Sequence, residues 1–257
     1  MKIRPFLHKD FRMRVDHIGQ QQAPVIVIDN FLLDADQMVE HAATQSRFTP
    51  AMALYPGIQA PIPAPYPLFA HFFTRAMIPK VFGLGDRDVI DSRCTFSMVT
   101  VRPDKVGLRQ RIPHTDFLDP NHIVLLHYLY DAPGGGTAFY RHRATGFEVM
   151  SVDQRERYET LLKDELQRSP PTEYIGGDTP IFEQIASYDA TFNRAILYRS
   201  TSLHAASVPP GFAYSPDPRK GRLAVKAGLA GLFGWELSQD DGDLVNAMNR
   251  GLGNKPR

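Results

Sequence analysis

The sequence predicts a mainly β, α+β fold: an antiparallel sandwich or jelly roll with helices packed on the outside. Three observations lead there. Apolar runs bounded by turn residues crowd into the stretch after residue 94. Helical periodicity is confined to the first third and to one later insertion. Strands and helices do not alternate, which argues against a parallel βαβ sheet.

Taken in order, "APVIVIDNFL" (23–32) is a short Val/Ile run that reads as a buried strand. "DADQMVEHAATQSRF" follows, with Leu33, Met38, Val39 and Ala42 at helical spacing and Asp34 or Asp36 suited to the cap. "YPGIQAPIPAPYP" (55–67) holds a local excess of the chain's 21 prolines and reads as a loop. "LFAHFFTRAMIPKVFG" (68–83) reads as an apolar helix with one proline, Pro79, near its end. Strands are then expected at 94–101, 122–130, 136–142, 194–199, 203–208 and 222–233. A charged helix at 152–169 interrupts them, with an apolar stripe at 158, 161, 162 and 166. Gly134, Gly135 and Gly136 suggest a tight turn between antiparallel strands.

A chain of 257 residues with 43% hydrophobic and 22% charged residues can bury a full core. The formal net charge of +1 gives no reason to expect nucleic acid or an anionic membrane as partner. Cys94 is the only cysteine, so no disulfide can form within the chain, and a reducing, cytoplasmic setting is expected. No apolar run approaches the ~18 residues of a membrane span, and "MKIRPFLHKDFRMRVD" lacks the core of a secretory signal.

"RIPHTDF" (111–117) places His114 and Asp116 two positions apart at what reads as a strand end. In an extended strand such residues share a face about 6.6 Å apart, so both can reach one ion above it. His204, in "LYRSTSLHAASV", is the candidate third ligand. Two histidines and a carboxylate on one side of a metal leave adjacent positions open. That suits Fe(II), which must accept both a chelating cosubstrate and O2. A plainer reading stands beside this one: a polar turn with a capping aspartate, and a structural histidine.

Four pieces in order resemble the prolyl 4-hydroxylase-like branch of the Fe(II)/2-oxoglutarate-dependent dioxygenases. They are "PHTDF" (113–117), "VLLHYLYDAPGGGTAFY" (124–140), "RAILYRSTSLHAASV" (194–208) and "GRLAV" (221–225). They span roughly residues 94–230, and "VIVIDNFLLDADQMVEHA" resembles the opening of these enzymes more faintly. The resemblance implies a double-stranded β-helix (jelly roll) with flanking helices. It would be a single domain over residues 1–257, with N-terminal support over about 1–93 and the core over about 94–235. It also implies a hydroxylase that uses Fe(II), 2-oxoglutarate and O2 on an amino acid, peptide or small metabolite.

In that pattern His114, Asp116 and His204 hold the iron. Because Asp116 supplies the carboxylate, the position used by halogenating relatives is filled, and hydroxylation or a related oxidation is expected. Arg222 matches the basic anchor for the far carboxylate of 2-oxoglutarate, with Lys220 and Lys226 as rivals; arginine offers two parallel hydrogen bonds. The gap from His204 to Arg222 is longer than the family's, filled by "PPGFAYSPDPRK". Tyr128 matches a tyrosine that helps hold the same carboxylate. Where some relatives carry a cosubstrate tyrosine, this chain has Thr100, Val101 and Arg102, so Thr100 is the expected substitute.

Arg102, Arg109, Arg111, Arg141 and Arg143 form a basic set expected at the pocket mouth, either a solvated rim or a contact for an anionic substrate. His122, His127 and His142 read as ordinary polar positions. Trp235 is expected to pack the C-terminal segment. Two other classes stay open: a non-catalytic jelly-roll binding protein, and a zinc-dependent hydrolase, which would need a general base near the metal. No H-E-x-x-H is present.

Overall fold

The computed structural model of the chain describes residues 6–51, 55–75, 77–84, 88–209 and 211–232. Trp235 lies outside these. In chain order the elements are β1 (Arg12–Ile18), β2 (Ala23–Asp29), α1 (Ala35–Thr44), β3 (Thr49–Pro50), β4 (Gly57–Pro61), α2 (Pro65–Thr74), α3 (Ile78–Phe82) and β5 (Asp88–Val99). Then come β6 (His122–Tyr128), β7 (Ala132–His142), α4 (Arg155–Arg168), β8 (Phe182–Ala190), β9 (Ala195–Arg199), β10 (His204–Ala206) and β11 (Leu223–Leu232). The fold is β-rich α+β. An eight-stranded sheet runs β1-β2-β9-β6-β11-β5-β4-β3, and a three-stranded sheet runs β10-β7-β8. Every pairing among these strands is antiparallel.

Alternation along each central strand explains why these runs are apolar throughout. Ile26 and Ile28, Leu197, and Leu223, Val225 and Ala227 pack on one face with Met38, Tyr66, Phe69 and Phe82 of the helices. Val25 and Val27, Val124 and Tyr128, and Ile196 and Tyr198 face the other way, against Phe139 and Tyr188 of the small sheet. Both faces of the large sheet are therefore covered, and each fully buried side chain contributes roughly 1.5–3 kcal/mol. Behind the small sheet, Tyr158, Leu162 and Leu166 of α4 pack on Tyr140 and Phe182. Leu161 stays half-buried at the edge of that stripe.

Several sequence expectations change. The proline-rich stretch is no plain loop, because Gly57–Pro61 pairs with β5. Its prolines sit where a missing N–H costs little: Pro61 ends the strand and Pro65 begins α2. The helix expected at 68–83 is two helices, and Pro79 sits in the first turn of the second. Asp34 holds the N-cap position of α1, but its backbone carbonyl, not its carboxylate, accepts the Gln37 N–H at 3.0 Å. The edge strand β1 and the half-exposed β8 lack strong alternation and went unassigned from sequence.

The glycine triplet is corrected too. It lies inside β7, and the turn falls earlier, between Tyr128 and Ala132. A Cβ on Gly136 would come within 1.7 Å of the Tyr188 carbonyl oxygen, so the glycine answers to close approach of a neighbouring strand.

Candidate metal centre

Backbone pairing brings the two distant segments together. His114 and His204 exchange both main-chain hydrogen bonds, each N–H to the other's carbonyl at 2.9 Å. Asp116 continues the run, its N–H donating to Ser200 O at 3.0 Å. His114 and Asp116 thus lie on one side of an extended segment, with His204 directly opposite. The two imidazole centroids are 4.6 Å apart. One ligand atom from each of the three residues lies within 4.8 Å of the others.

Hydrogen bonds orient these atoms. His204 Nδ1 sits 2.9 Å from Ser202 O. A carbonyl only accepts, so Nδ1 carries the proton and Nε2 presents a lone pair. That Nε2 lies 3.6 Å from Asp116 Oδ2, and His114 Nε2 lies 3.9 Å from Asp116 Oδ1. Lys226 Nζ donates to Asp116 Oδ1 at 2.7 Å. Asp116 Oδ2 is buried and makes no hydrogen bond among the described residues. A carboxylate oxygen and an imidazole lone pair facing each other without a proton between them repel, and a shared cation removes the repulsion. The donor set fits a divalent metal on that ground.

Charge states agree. Burial opposes ionisation of Asp116, but the Lys226 ammonium, then His204 and His114, hold its carboxyl well below the usual range. Burial, with His114 adding to it, lowers His204 to about 4. At neutral pH the carboxylate is charged and His204 neutral, as metal ligation requires.

A cavity of about 300 Å³ opens on this group, between the two sheets. Its wall includes Tyr55, Val99, Thr137, Tyr198, Arg222 and Lys226. Arg222, just before β11, and Ala224 and Lys226 within it line the cavity, while the intervening Leu223 and Val225 enter the helix-side core. Arg222 is 3% exposed. Its Nε donates to Gly135 O at 3.0 Å and its Nη2 to Gly136 O at 2.7 Å, and neither bond uses Nη1. The guanidinium also lies over the rings of Tyr128 and Tyr130, at 6.0 and 5.7 Å. Burial pushes the Tyr55 hydroxyl up to about 12 against the pull of the Arg222 charge.

The other candidates separate. Lys226 joins the cavity but is engaged with Asp116, whereas Lys220 is 77% exposed and pairs with Asp217. Tyr128 is fully buried and its hydroxyl donates to Thr137 Oγ1 at 2.8 Å; Thr137, not Tyr128, reaches the cavity wall. Thr100 falls outside the wall, which Val99 forms. Of the expected basic rim, Arg109 and Arg111 line the cavity. Arg141 instead pairs with Glu148 and Glu183, Arg143 with Asp178 and Glu183, and Arg102 with Asp104. The spare histidines are buried: His142 bonds Glu165 at 2.7 Å, and His127 bonds Tyr66 and Asn193. Sequence reasoning missed Tyr55, Tyr174 and Tyr198. For Tyr198 a signal existed, since it shares the parity of Ile196, the sandwich-facing side of β9.

No helix among the described residues is long and apolar enough to cross a membrane. Among solved structures, faint likenesses are found. The non-heme alpha ketoglutarate dependent epimerase SnoN from nogalamycin biosynthesis is 11% identical with a TM-score of 0.39, over 82% of this chain and 79% of that one. AviO1 from Streptomyces viridochromogenes Tue57 is 10% identical with a TM-score of 0.40, over 91% and 95%. A family model matches as well: residues 9–229, carrying all three candidate ligands and Arg222, match DUF6445, described as a family of unknown function, and the chain belongs to that family.

Proposed function

We propose that the chain is an Fe(II)- and 2-oxoglutarate-dependent oxygenase that hydroxylates an amino acid, peptide or small metabolite. In this reading it is one domain over residues 1–257 with a double-stranded β-helix core. The strand order β5-β11-β6-β9 facing β10-β7-β8, with the His114 segment beside β10, supports that core. The observation that carries the function is the His114, Asp116 and His204 group opening on a cavity that also holds a buried arginine.

Bound there with 2-oxoglutarate and O2, Fe(II) would supply the oxidising power to hydroxylate a C–H bond while the cosubstrate becomes succinate and CO2. The chain's residues do the rest. Ser202 O fixes the His204 tautomer so that Nε2 faces the metal. Lys226 holds Asp116 Oδ1 and turns Oδ2 toward it. The buried Arg222 guanidinium, which lines the cavity, would pair with the far carboxylate in a site dry enough to strengthen that pairing. For the hydrolase alternative, Asp116 is the only carboxylate lining this cavity among the described residues, and Glu159, on the adjoining cavity that also reaches His114 and Asp116, is held by Arg109 rather than free to act as a base.

The test is to load the chain with Fe(II) under anaerobic conditions, admit air with 2-oxoglutarate, and measure succinate. Slow uncoupled succinate release that disappears in His114→Ala is expected. Zinc-dependent hydrolysis with no response to 2-oxoglutarate would overturn the reading.

A further inference from the structure

Tyr198 is 1% exposed, yet its hydroxyl oxygen makes no hydrogen bond among the described residues. Its ring is fixed on two sides, with the Phe139 centroid 5.0 Å away and the His204 centroid 4.8 Å away. β9 sets its register opposite Val124, which points it between the sheets, where it forms part of the cavity wall. Asp116 and Arg222 line the same cavity.

A buried hydroxyl without a partner destabilises the fold, because it has given up water and gained nothing in return. Phenylalanine would fill the same volume without that cost. The hydroxyl therefore calls for a partner that arrives with a ligand. An arriving acceptor oxygen suits it, because a neutral phenol donates well to a carboxylate or ketone oxygen and brings no charge to a cavity that already holds Lys226 and Arg222.

Resting on the oxygenase reading, we propose that Tyr198 is a positioning residue for the cosubstrate: its hydroxyl donates a hydrogen bond to an oxygen of bound 2-oxoglutarate between the metal group and Arg222. Arg222 alone fixes one end of an extended dicarboxylate. A second donor partway along the molecule sets its rotation and the order in which its oxygens meet the metal.

Tyr198→Phe tests this on the full chain loaded with Mn(II), which binds oxygen donors without turnover. Three quantities are read: thermal midpoint without ligand, Mn(II) affinity, and 2-oxoglutarate affinity of the loaded chain by calorimetry. The expected result is a midpoint equal to or above that of the unaltered chain and unchanged Mn(II) affinity. Affinity for 2-oxoglutarate should weaken roughly three- to tenfold, the value of one neutral hydrogen bond. A lowered midpoint would reveal a partner for the hydroxyl within the fold and overturn the proposal. So would equal 2-oxoglutarate affinity in the two proteins, which would leave water as the only partner. If the unaltered Mn(II)-loaded chain binds no 2-oxoglutarate, the oxygenase reading fails first and takes this proposal with it.

Discussion

Lys226 Nζ lies 2.7 Å from Asp116 Oδ1, while Asp116 Oδ2 is buried with no hydrogen-bond partner among the described residues. One oxygen is neutralised by the chain and the other is left for something else. Lys226 is 29% exposed and Asp116 11%, so the pair is largely withdrawn from water. Removing the ammonium leaves a buried carboxylate uncompensated. For fully buried pairs the loss is about 3–5 kcal/mol, and partial exposure of the lysine reduces it to about 1–3. Lys226→Met is therefore expected to lower metal-free stability by that amount. A divalent cation should recover more stability in the variant than in the unaltered chain, because it also neutralises Asp116. Thermal midpoints with and without Mn(II) check this, and equal metal-induced shifts in the two proteins would sink it.

Arg222 yields a second prediction. Lysine at this position keeps the charge but cannot place Nε on Gly135 O and Nη2 on Gly136 O while offering a further N–H to a ligand. Arg222→Lys should weaken 2-oxoglutarate binding to the metal-loaded chain by about 10-fold or more, the loss of a charge-assisted hydrogen bond. Metal affinity should stay put, since Arg222 makes no bond to His114, Asp116 or His204. Calorimetric titration of each ligand in turn separates the two effects.

The candidate ligands were legible because local rules encode them. A period of two puts His114 and Asp116 on one face, and His204 opens a short apolar strand. The partners of those ligands were not legible. Lys226 meets Asp116, and Tyr198 enters the cavity, through the order β9-β6-β11 in the large sheet and the His114–His204 bridge, which are long-range pairings that no local pattern carries. Tyr128 and Thr100 were placed by resemblance of short strings. Thr100 differs by one position from Val99, which lines the cavity, whereas Tyr128 has the parity of the cavity-lining Leu126 but sits behind Thr137. The central strands were found because both their faces are apolar. β1 was missed because an edge strand whose first three residues are exposed has little pattern to show.

The glycine triplet illustrates the same limit and supplies a third prediction. Three successive glycines before an apolar run read locally as a turn, yet in the fold Gly136 lies where the β8 backbone comes too near for any side chain. Its carbonyl also accepts from Arg222. Gly136→Ala must push β7 away from β8 or distort it, at about 3 kcal/mol or more, the upper end for overpacking. Gly146→Ala is a useful contrast, because that glycine has open space but a φ of 76°, which strains any L side chain by about 1 kcal/mol. Chemical denaturation should rank Gly136→Ala as the more damaging; the reverse order would contradict the close approach.

His127 sets an acid limit on the fold. It is fully buried, and burial lowers its pKa to about 4, with the Asn193 side chain opposing that shift. Asn193 Nδ2 donates to Leu32 O at 2.8 Å, so its Oδ1 is the acceptor for both Leu32 N–H and His127 Nε2–H. The neutral ring then accepts the Tyr66 hydroxyl at Nδ1, 2.9 Å away. A proton on Nδ1 would turn that acceptor into a second donor. In the unfolded chain the same histidine titrates near 6.5. Above about 6.5 neither state takes the proton and the contribution is complete. Between about 6.5 and 4 the unfolded chain binds a proton that the folded chain refuses, so stability falls as pH falls, by about 3 kcal/mol across the window. Below about 4 both states are protonated and this contribution levels off. His127→Gln removes the titration, so the variant should lose less stability between pH 7 and pH 5 than the unaltered chain, although it is the less stable of the two at pH 7. Urea midpoints at the two pH values decide it, since the other histidines contribute alike to both proteins and cancel in the difference. Parallel losses would mean that His127 already shares a proton in the folded state, and the tautomer assigned through Asn193 would be wrong.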